Sequence, residues 1–463
     1  MKKFEFQPGT TDPIRDKAGS LRAGFGRADI TPLNPCFLVG YPHVERISTG
    51  THDPLFASAL CLESAGCALI FISVDLLFVS PEWTRDCRGR ISDATGIPPE
   101  NILIGATHTH SGPLTADLLA FKGDPVVPPC DPEYLEFLCA ETAKAAIEAW
   151  RALEPAEIAT TIANVAGLAG GNRIDANGPE DPEAGLLMVR RTGGGSPLAI
   201  LSIYGMHPTV LHEDSTLFSG DFIAFTRKHL EKAFGAGLVY LNGVSGNQSP
   251  RRFVRAQTFA EAERLGLALG LRIEESLRTV DGFQSEVVLD SSTEKILMEG
   301  KKFPSVAEAC ARLEAARKAY EELKLAKAGH AEVRTAECTV FGAEEVLTLS
   351  MAEASGEAEA FRQKYREAEV QAFRVGDTAI VGWPGEFFVE YGIEVKSLAP
   401  AKTFIATVAN GELQGYIVTP EAAREEGYEA QMAVFPAAMG KRFVDATLRL
   451  IQTLWASLPE AHP

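Results

Sequence analysis

Short apolar runs alternate along this chain with longer stretches whose apolar residues recur every three or four positions. The apolar runs lie at residues 57–62, 68–74, 102–104, 186–190 and 198–204. The helical stretches lie at residues 81–95, 132–153, 222–234 and 259–279. Strands of this length separated by helices are typical of α/β proteins. The pattern predicts an α/β fold in which a mixed β-sheet core is flanked by helices.

The segment 304–370 differs from the rest of the chain. Its apolar residues recur at spacings of four and three among Glu, Lys and Arg, at Val306, Cys310, Leu313, Ala316, Tyr320 and Leu323. This spacing predicts an amphipathic helix, and a second helical stretch at 353–369 predicts an antiparallel partner for it. We therefore expect one domain over residues 22–458, with a helical hairpin inserted at 304–370. The hairpin is expected to pack on the domain rather than to serve as a partner-binding arm.

The charge balance limits the possible partners. The 463 residues include 44 basic and 62 acidic side chains, which gives a net charge of -18. Such a protein is repelled by nucleic acids and by anionic membrane surfaces, so we expect neither as a partner. The sequence has no signal peptide and no apolar stretch of about 18 residues, so we expect a cytoplasmic protein without a transmembrane segment. The eight Cys are scattered without a Cys-x-x-Cys pair, which makes a Cys-based zinc site improbable.

Polar side chains follow the ends of several predicted strands. His108 and His110 come directly after the run 102–104, His207 follows the run 198–204, and Glu386 follows the strand at 378–381. On an extended backbone, the i, i+2 spacing of His108 and His110 would place both imidazoles on one face. Each of these residues alone is equally well explained as a hydrogen-bonded structural residue. Together, on one α/β framework, they indicate a His/His/Glu metal site.

Several ordered motifs show that the chain resembles the neutral/alkaline (non-lysosomal) ceramidase family. They are Gly26-Arg27-Ala28-Asp29-Ile30-Thr31, Thr107-His108-Thr109-His110-Ser111-Gly112-Pro113, the Gly246-to-Pro250 segment, Pro384-Gly385-Glu386 and the Asn410-to-Glu429 region. The resemblance implies an α/β catalytic domain with one zinc ion that hydrolyses the amide of ceramide. Because the chain has no leader and ends at Pro463, we expect a bacterial-type relative with the catalytic domain only, lacking the family's C-terminal immunoglobulin-like domain.

The resemblance also implies roles for individual residues. The zinc ligands would be His108, His207, Glu386 and Tyr416. The residues around the scissile carbonyl would be His110, Arg173 and Tyr428, with a surface ion pair as the alternative role of Arg173. Ser249 corresponds to a Ser of the family's Gly-Asp-x-Ser-Pro motif, which is either a nucleophile or an orienting group. Here Asn247 replaces the Asp, so we favour a zinc-activated water, with Ser249 as a supporting hydrogen-bonding residue.

Three functions remain open at this point. The first is zinc-dependent hydrolysis of the amide bond of a ceramide-like or N-acyl substrate. The second keeps the zinc hydrolase but gives it a small soluble amide, lactam or ester, which suits the acidic composition. The third is a metal-binding homologue that has lost catalysis. The expected partner is therefore a small-molecule or lipid substrate, and no oligomeric state is predicted.

Overall fold

Within residues 17–456, which the computed structural model describes, a large mixed β-sheet lies face to face with a smaller one. The large sheet contains β1 (Arg22–Asp29), β2 (Phe56–Ser64), β3 (Cys67–Val74), β4 (Ile102–Ala106), β5 (Glu154–Asn164), β6 (Glu183–Arg191), β7 (Pro197–Tyr204) and β8 (Gly237–Asn242). The smaller sheet contains β9 (Leu289–Leu297), β10 (Glu367–Val375), β11 (Thr378–Gly382) and β12 (Lys402–Ala406). The end of the predicted domain, residues 457 and 458, lies outside the described residues.

The helices form layers on the outer faces of these sheets. Their bounds are α1 (Pro81–Thr95), α2 (Pro132–Arg151), α3 (Phe222–Phe234), α4 (Phe259–Arg278), α5 (Val306–Leu325), α6 (His330–Ser355), α7 (Glu357–Lys364), α8 (Val389–Leu398), α9 (Pro420–Glu425), α10 (Tyr428–Met432) and α11 (Ala438–Trp455). Helices α1 to α4 cover the large sheet, and α8 and α11 cover the smaller one. The predicted mixed-sheet core flanked by helices is confirmed.

The large sheet has the strand order β8-β7-β6-β5-β1-β2-β3-β4. The outer pairs β3–β4 and β7–β8 are parallel, and the inner pairs are antiparallel. The sheet bends so strongly that its two edges meet, since a Cβ added to Gly105 of β4 would lie 2.8 Å from Leu241 Cδ2 of β8. This bend brings the segments that follow β4 and β7 to the same region of the molecule.

Strand β2 shows why the apolar runs are nearly continuous. Its residues Leu60 and Leu62 face the smaller sheet, whereas Ala57, Ala59 and Cys61 face helices α1 and α2. Strands that are buried on both faces carry apolar side chains at successive positions. The apolar runs of the sequence therefore mark a sheet with no solvent-facing side at these strands.

The inserted helices lie in sequence between β9 and β10, which pair as antiparallel neighbours. Helix α5 begins at a capping box formed by Ser305 and Glu308, and it packs against α6. The expected helix over 353–369 is wrong in its bounds. Helix α6 ends at Ser355, with Gly356 at a φ of 82° as its cap, and the short helix α7 follows at Glu357–Lys364. Residues from Glu367 onwards form strand β10. Pairing with β9 outweighs the helix propensity of the Glu- and Ala-rich sequence there.

No helix within residues 17–456 is long and apolar enough to cross a bilayer.

Candidate metal centre

Three imidazoles meet where the two edges of the large sheet come together. His108 and His110 follow β4, His207 follows β7, and ring nitrogens of all three lie within 4.8 Å of one another. The His108 ring centroid lies 4.7 Å from that of His207 and 5.2 Å from that of His110. A cluster of imidazole nitrogens at this spacing is a candidate metal centre.

A backbone carbonyl faces the Nδ1 atom of each of the three imidazoles. His108 Nδ1 lies 2.9 Å from Leu77 O, and His110 Nδ1 lies 3.0 Å from Gly40 O. His207 Nδ1 lies 2.9 Å from both Ser245 O and Gln248 O. Because a carbonyl oxygen can only accept a hydrogen bond, each Nδ1 carries the proton and donates it. The lone pair of each ring is thereby placed on Nε2, as in histidines that bind metals through Nε2.

The chain turns sharply at His108. The residue has a φ of 70°, in the left-handed region that non-glycine residues seldom adopt. The turn is held by backbone hydrogen bonds from Thr107 N to Val74 O at 2.9 Å and from His108 N to Leu76 O at 2.8 Å. The extended backbone expected for the His108–His110 pair is therefore not observed. The two rings meet because the backbone turns, and such local strain is common at functional sites.

Glu386 places a carboxylate against the same cluster. Its Oε2 lies 3.0 Å from His207 Nε2 and 3.3 Å from His108 Nε2, and the side chain is buried. The residue follows Gly385, which has a φ of 78°. The Cβ of any other residue at position 385 would lie 2.9 Å from Leu413 Cβ. A glycine is required at this turn on both grounds. The structure thus brings together His108, His207 and Glu386, as the sequence pattern indicated.

The protonation states at the cluster suit a metal. Burial lowers the pKa of His207 to about 4 and, with the neighbouring imidazoles, also lowers the pKa of His110. Burial would raise the pKa of Glu386, but the contacts with His108 and His207 outweigh it and hold that pKa below its usual range. Neutral imidazoles beside an ionised carboxylate are what a divalent metal requires. The Nε2 atoms of His108 and His110 are buried without a hydrogen-bond partner, so this donor set fits a metal ion.

Tyr416 stands opposite Glu386 in a short parallel pair formed by Glu386–Phe387 and Tyr416–Ile417. The Arg173 guanidinium carbon lies 5.4 Å from the centroid of the Tyr416 ring, and the Tyr428 ring lies 6.4 Å from it, centroid to centroid. Arg173 and Tyr428, two of the residues that the resemblance assigned to the carbonyl site, therefore lie beside the candidate fourth ligand.

Arg173 is buried rather than part of a surface ion pair. Its side chain is 10% exposed, and its Nε donates a hydrogen bond to Glu429 Oε1 at 2.7 Å. Its Nη2 is buried without a hydrogen-bond partner. Glu429 thus holds one side of the guanidinium, and the Nη2 donor remains available to a ligand.

Ser249 lies beside the centre but makes a different contact. Its Oγ accepts a hydrogen bond from Arg251 N at 3.2 Å, which caps the 3-10 turn Pro250–Arg252. Asn247 holds the same loop against α8, because its Nδ2 donates to Glu390 Oε2 and its Oδ1 accepts from Val389 N, both at 2.9 Å. This loop supplies the carbonyls that orient His207. Ser249 is not among the residues lining the cavity at the histidines, so its assignment to catalysis stays a prediction.

A cavity of about 60 Å³ opens at the histidines. Its lining includes residues that the sequence analysis named, which are His108, His110, Glu386, Tyr416 and Tyr428. It also includes Glu345 of helix α6, which the sequence analysis missed. The spacing of Glu345 from Leu349 and Ala352, both of which are buried, puts all three residues on one face of a helix. This spacing was the signal in the sequence that could have identified Glu345.

A larger cleft of about 560 Å³ lies next to this cavity. The two share Leu118, Phe121 and Val127, which belong to the loop between β4 and α2. The segment 114–129 therefore forms the wall between the cavity at the histidines and the larger cleft.

Comparison with known proteins places this arrangement in one family. The sequence profile of the family described as neutral/alkaline non-lysosomal ceramidase, N-terminal, matches residues 21–256, slightly more than half of the chain. This range contains His108, His110, Arg173, His207 and Ser249.

Two curated proteins are similar over shorter segments. Neutral ceramidase A of Dictyostelium discoideum is 24% identical over 218 residues, which cover 44% of this chain and 30% of that protein. The neutral ceramidase of Pseudomonas aeruginosa is 32% identical over 106 residues, which cover 22% of this chain and 16% of that protein. The matching segments thus span less than one third of either relative.

Two solved structures share the fold. The crystal structure of neutral ceramidase from Pseudomonas aeruginosa superposes with a TM-score of 0.73 at 20% identity, covering 96% of this chain and 76% of that one. A structure described as ceramidase complexed with C2 gives a TM-score of 0.72 at 19% identity, covering 96% of this chain and 77% of that one.

Proposed function

Because the chain belongs to the neutral/alkaline non-lysosomal ceramidase family, we propose that it is a zinc-dependent hydrolase that cleaves the amide bond of a ceramide-like N-acyl substrate. The observation that carries this proposal is the convergence of three imidazoles whose Nδ1 atoms all donate to backbone carbonyls. That arrangement leaves the Nε2 lone pairs buried around one point, beside an ionised carboxylate.

His108, His207 and Glu386 would hold the zinc ion, with Tyr416 as the fourth ligand. Two neutral imidazoles and one carboxylate are the ligand set of many hydrolytic zinc sites. When bound, the ion supplies Lewis-acid polarisation of a carbonyl and lowers the pKa of water. The carbonyls of Leu77, Ser245 and Gln248 fix the imidazole rings, so the ligand geometry is held by backbone rather than by mobile side chains.

His110 is the residue best placed to move a proton. Its Nδ1 is held by Gly40 O, and its Nε2 lone pair lies within the cluster without a hydrogen-bond partner. A neutral imidazole in this position can accept a proton at Nε2 from the attacking water and return it to the leaving amine. The added Cβ of any residue replacing Gly40 would lie 2.5 Å from His110 Nδ1, so the ring is closely confined.

Arg173 and Tyr428 would bind the scissile carbonyl oxygen as it gains charge. The free Nη2 of Arg173 is a buried donor, and Tyr428 lines the cavity at the histidines. Preorganised donors in a buried site stabilise a tetrahedral oxyanion more than they stabilise the ground-state carbonyl. Glu429 keeps the guanidinium in place through its 2.7 Å hydrogen bond with Nε.

The cavity volume supports a second candidate, hydrolysis of a small soluble amide, lactam or ester. The cavity of about 60 Å³ is far smaller than the roughly 300–1,000 Å³ of ordinary ligand pockets. A long acyl chain would have to displace the wall at Leu118, Phe121 and Val127 to reach the neighbouring cleft of about 560 Å³. A short substrate needs no such movement.

Metal analysis combined with turnover tests the proposal. Protein purified without chelator should contain about one zinc per chain and release free amine from an N-acyl substrate. Removal of the metal should abolish that turnover, and added zinc should restore it. Protein that contains no transition metal, or that turns over the substrate equally well after metal removal, would overturn the proposal.

A further inference from the structure

Glu345 places a carboxyl group in the cavity at the histidines from outside the α/β core. The residue lies on helix α6 of the inserted hairpin, and its side chain is 8% exposed. Its Oε2 is buried and makes no hydrogen bond within the part of the chain that the structure describes. Buried polar atoms are nearly always hydrogen-bonded in folded proteins, so an unpartnered carboxyl oxygen facing a cavity indicates a missing partner.

The position of Glu345 is set by firm packing of α6. The helix packs against α10, which carries Tyr428, and against the 3-10 turn Ala120–Gly123. Gly123 lies directly against Thr348, so no larger side chain fits at that contact. Lys122 forms an ion pair with Glu357 of α7 on the same surface. The inserted hairpin is thus a fixed wall of the cavity.

The preceding residue shows that Glu345 is distinct from an ordinary acidic residue of this helix. Glu344 is fully paired, because His43 Nε2 contacts its Oε2 at 2.5 Å and Arg317 Nη2 donates to its Oε1 at 2.6 Å. Asp124, which also lines the cavity, accepts hydrogen bonds from the backbone N–H groups of His43 and Val126. Of Glu344, Asp124 and Glu345, only Glu345 thus has a buried oxygen without a hydrogen-bond partner among the described residues.

The remaining lining of the cavity supplies no cation for this carboxyl. It contains no Lys or Arg side chain, and its walls include Phe37, Phe78 and Leu118. An anionic ligand group would therefore find no side-chain cation in this lining. A ligand group with an O–H or N–H donor would instead provide the hydrogen bond that Glu345 lacks.

We propose that Glu345 is a specificity-determining residue that accepts a hydrogen bond from a hydroxyl or amino group on the amine portion of the substrate. This proposal rests on the proposed amide hydrolysis, because it assumes that an N-acyl amine occupies the cavity. The acyl portion of such a substrate is hydrocarbon and offers no donor. Apart from the amide N–H, any donor must therefore lie on the amine portion.

The local electrostatics agree with an uncharged partner. Burial, with further contributions from Glu344 and Asp124, raises the pKa of Glu345 to about 8. A protonated carboxyl can both accept and donate a hydrogen bond, so it suits a hydroxyl group. An ammonium group would instead favour the ionised carboxylate, and the two kinds of substrate can be compared directly.

The test uses amides that share one acyl chain and differ only at the end of the amine portion. They are the N-hexanoyl amides of ethanolamine, ethylenediamine and propylamine, which end in a hydroxyl, an amino and a methyl group. The proteins are the zinc-loaded wild type, Glu345→Leu, Glu345→Gln and the matched control Glu344→Gln. Thermal unfolding of each variant confirms that it is folded. The unfolding temperature of Glu345→Leu is expected to be no lower than that of the wild type, because the substitution removes an unpaired buried carboxyl.

The wild type should prefer the hydroxyl or the amino amide over the propyl amide by about ten- to a hundredfold in kcat/KM. Glu345→Leu should lose this preference, so that its kcat/KM values for the three amides lie within about threefold of one another. Glu345→Gln should retain part of the preference for the hydroxyl amide and lose that for the amino amide. Glu344→Gln, whose side chain does not line the cavity, should keep the preference of the wild type for the hydroxyl and amino amides over the propyl amide.

Equal kcat/KM values of the wild type for all of the amides, or an unchanged preference in folded Glu345→Leu, would overturn the role of Glu345. If the wild type cleaves none of the amides, the proposed hydrolysis is wrong. The role of Glu345 in binding can then still be tested by calorimetric titration of the protein with the intact amides. Tighter binding of the hydroxyl or amino amide that is lost in Glu345→Leu would then support its role, and equal binding would refute it.

Discussion

Replacement of Arg173 separates a catalytic role from a structural one. Arg173→Met keeps an unbranched aliphatic side chain at this position and removes the whole guanidinium, with its charge and its Nε and Nη2 donors. In the wild type, Nη2 is buried without a partner and Nε is bonded to Glu429. If Nη2 stabilises an oxyanion, the variant should fold, bind metal and turn over its substrate slowly.

Two effects of known size contribute to the result. Loss of one oxyanion donor lowers turnover by about 10²–10³, which corresponds to about 2.7–4 kcal/mol. Removing Arg173 also leaves the Glu429 carboxylate buried and unpaired, since the two side chains are 10% and 9% exposed. Breaking a buried ion pair on one side costs about 3–5 kcal/mol of stability. The double variant Arg173→Met/Glu429→Gln avoids the stranded carboxylate, so it should regain most of the stability and none of the turnover.

The assay follows amine release from an N-acyl amide well below the unfolding temperature, with zinc content measured on the same samples. Arg88→Met is the control, because Arg88 of α1 is 8% exposed and pairs at 2.8 Å with Glu369 of β10, whose side chain is 28% exposed. It should lose stability while zinc content and turnover remain those of the wild type.

Unchanged turnover in Arg173→Met would refute the role of Nη2, and so would recovery of turnover in the double variant together with stability. Loss of zinc from Arg173→Met would show instead that the residue acts on the metal ligands.

Three further outcomes are expected. His207→Ala should lose both zinc and turnover, as measured by elemental analysis and amine release, and full zinc retention would exclude His207 as a ligand. Across N-acyl substrates from acetyl to palmitoyl, kcat/KM should be as high for short chains as for long-chain ceramide, because the cavity has a volume of only about 60 Å³. A steep rise of kcat/KM with chain length would instead favour the ceramide assignment. Burial raises the pKa of Glu345 from 4.5 to about 8, so between these pH values the folded state holds a proton that the unfolded chain has lost. Stability should therefore fall as pH rises from about 4.5 to about 8 and should level off above that. Denaturant unfolding of Glu345→Gln should lack this part of the pH dependence, and identical curves for the two proteins would contradict it.

The sequence predicted the elements whose signals are local. Helix α1 was predicted with its observed bounds because Ser80 caps its start, Pro81 occupies its first turn and Gly96 ends it in a left-handed conformation. Strands β3 and β7 were predicted to within a residue at each end, since their apolar runs are bounded by Gly, Pro or Asp residues, which favour turns. The stretch 353–369 was predicted wrongly because its end is set by pairing with β9, a partner more than sixty residues away along the chain.

The candidate site divides in the same way. Residue chemistry and motif spacing were enough to select His108, His207 and Glu386, because imidazole and carboxylate groups at strand ends are uncommon in a core. Local sequence could not show that backbone carbonyls from Leu77, Gly40 and Ser245 turn the rings toward one point, since these residues come from separate segments. It also could not show that Glu345 reaches the cavity, because its place depends on how the inserted hairpin packs against α10.

The sequence by itself therefore determined the α/β class, most of the elements and the residue types of the candidate metal centre. Only the tertiary structure decided which nitrogen of each imidazole carries the proton. It also decided that Arg173 is buried with an unpaired donor and that the inserted helices form a wall of the cavity. The physical reason is that periodicity, caps and turns depend on neighbours within a few residues. The direction of a side chain and its hydrogen-bond partners depend instead on segments that become neighbours only when the chain has folded.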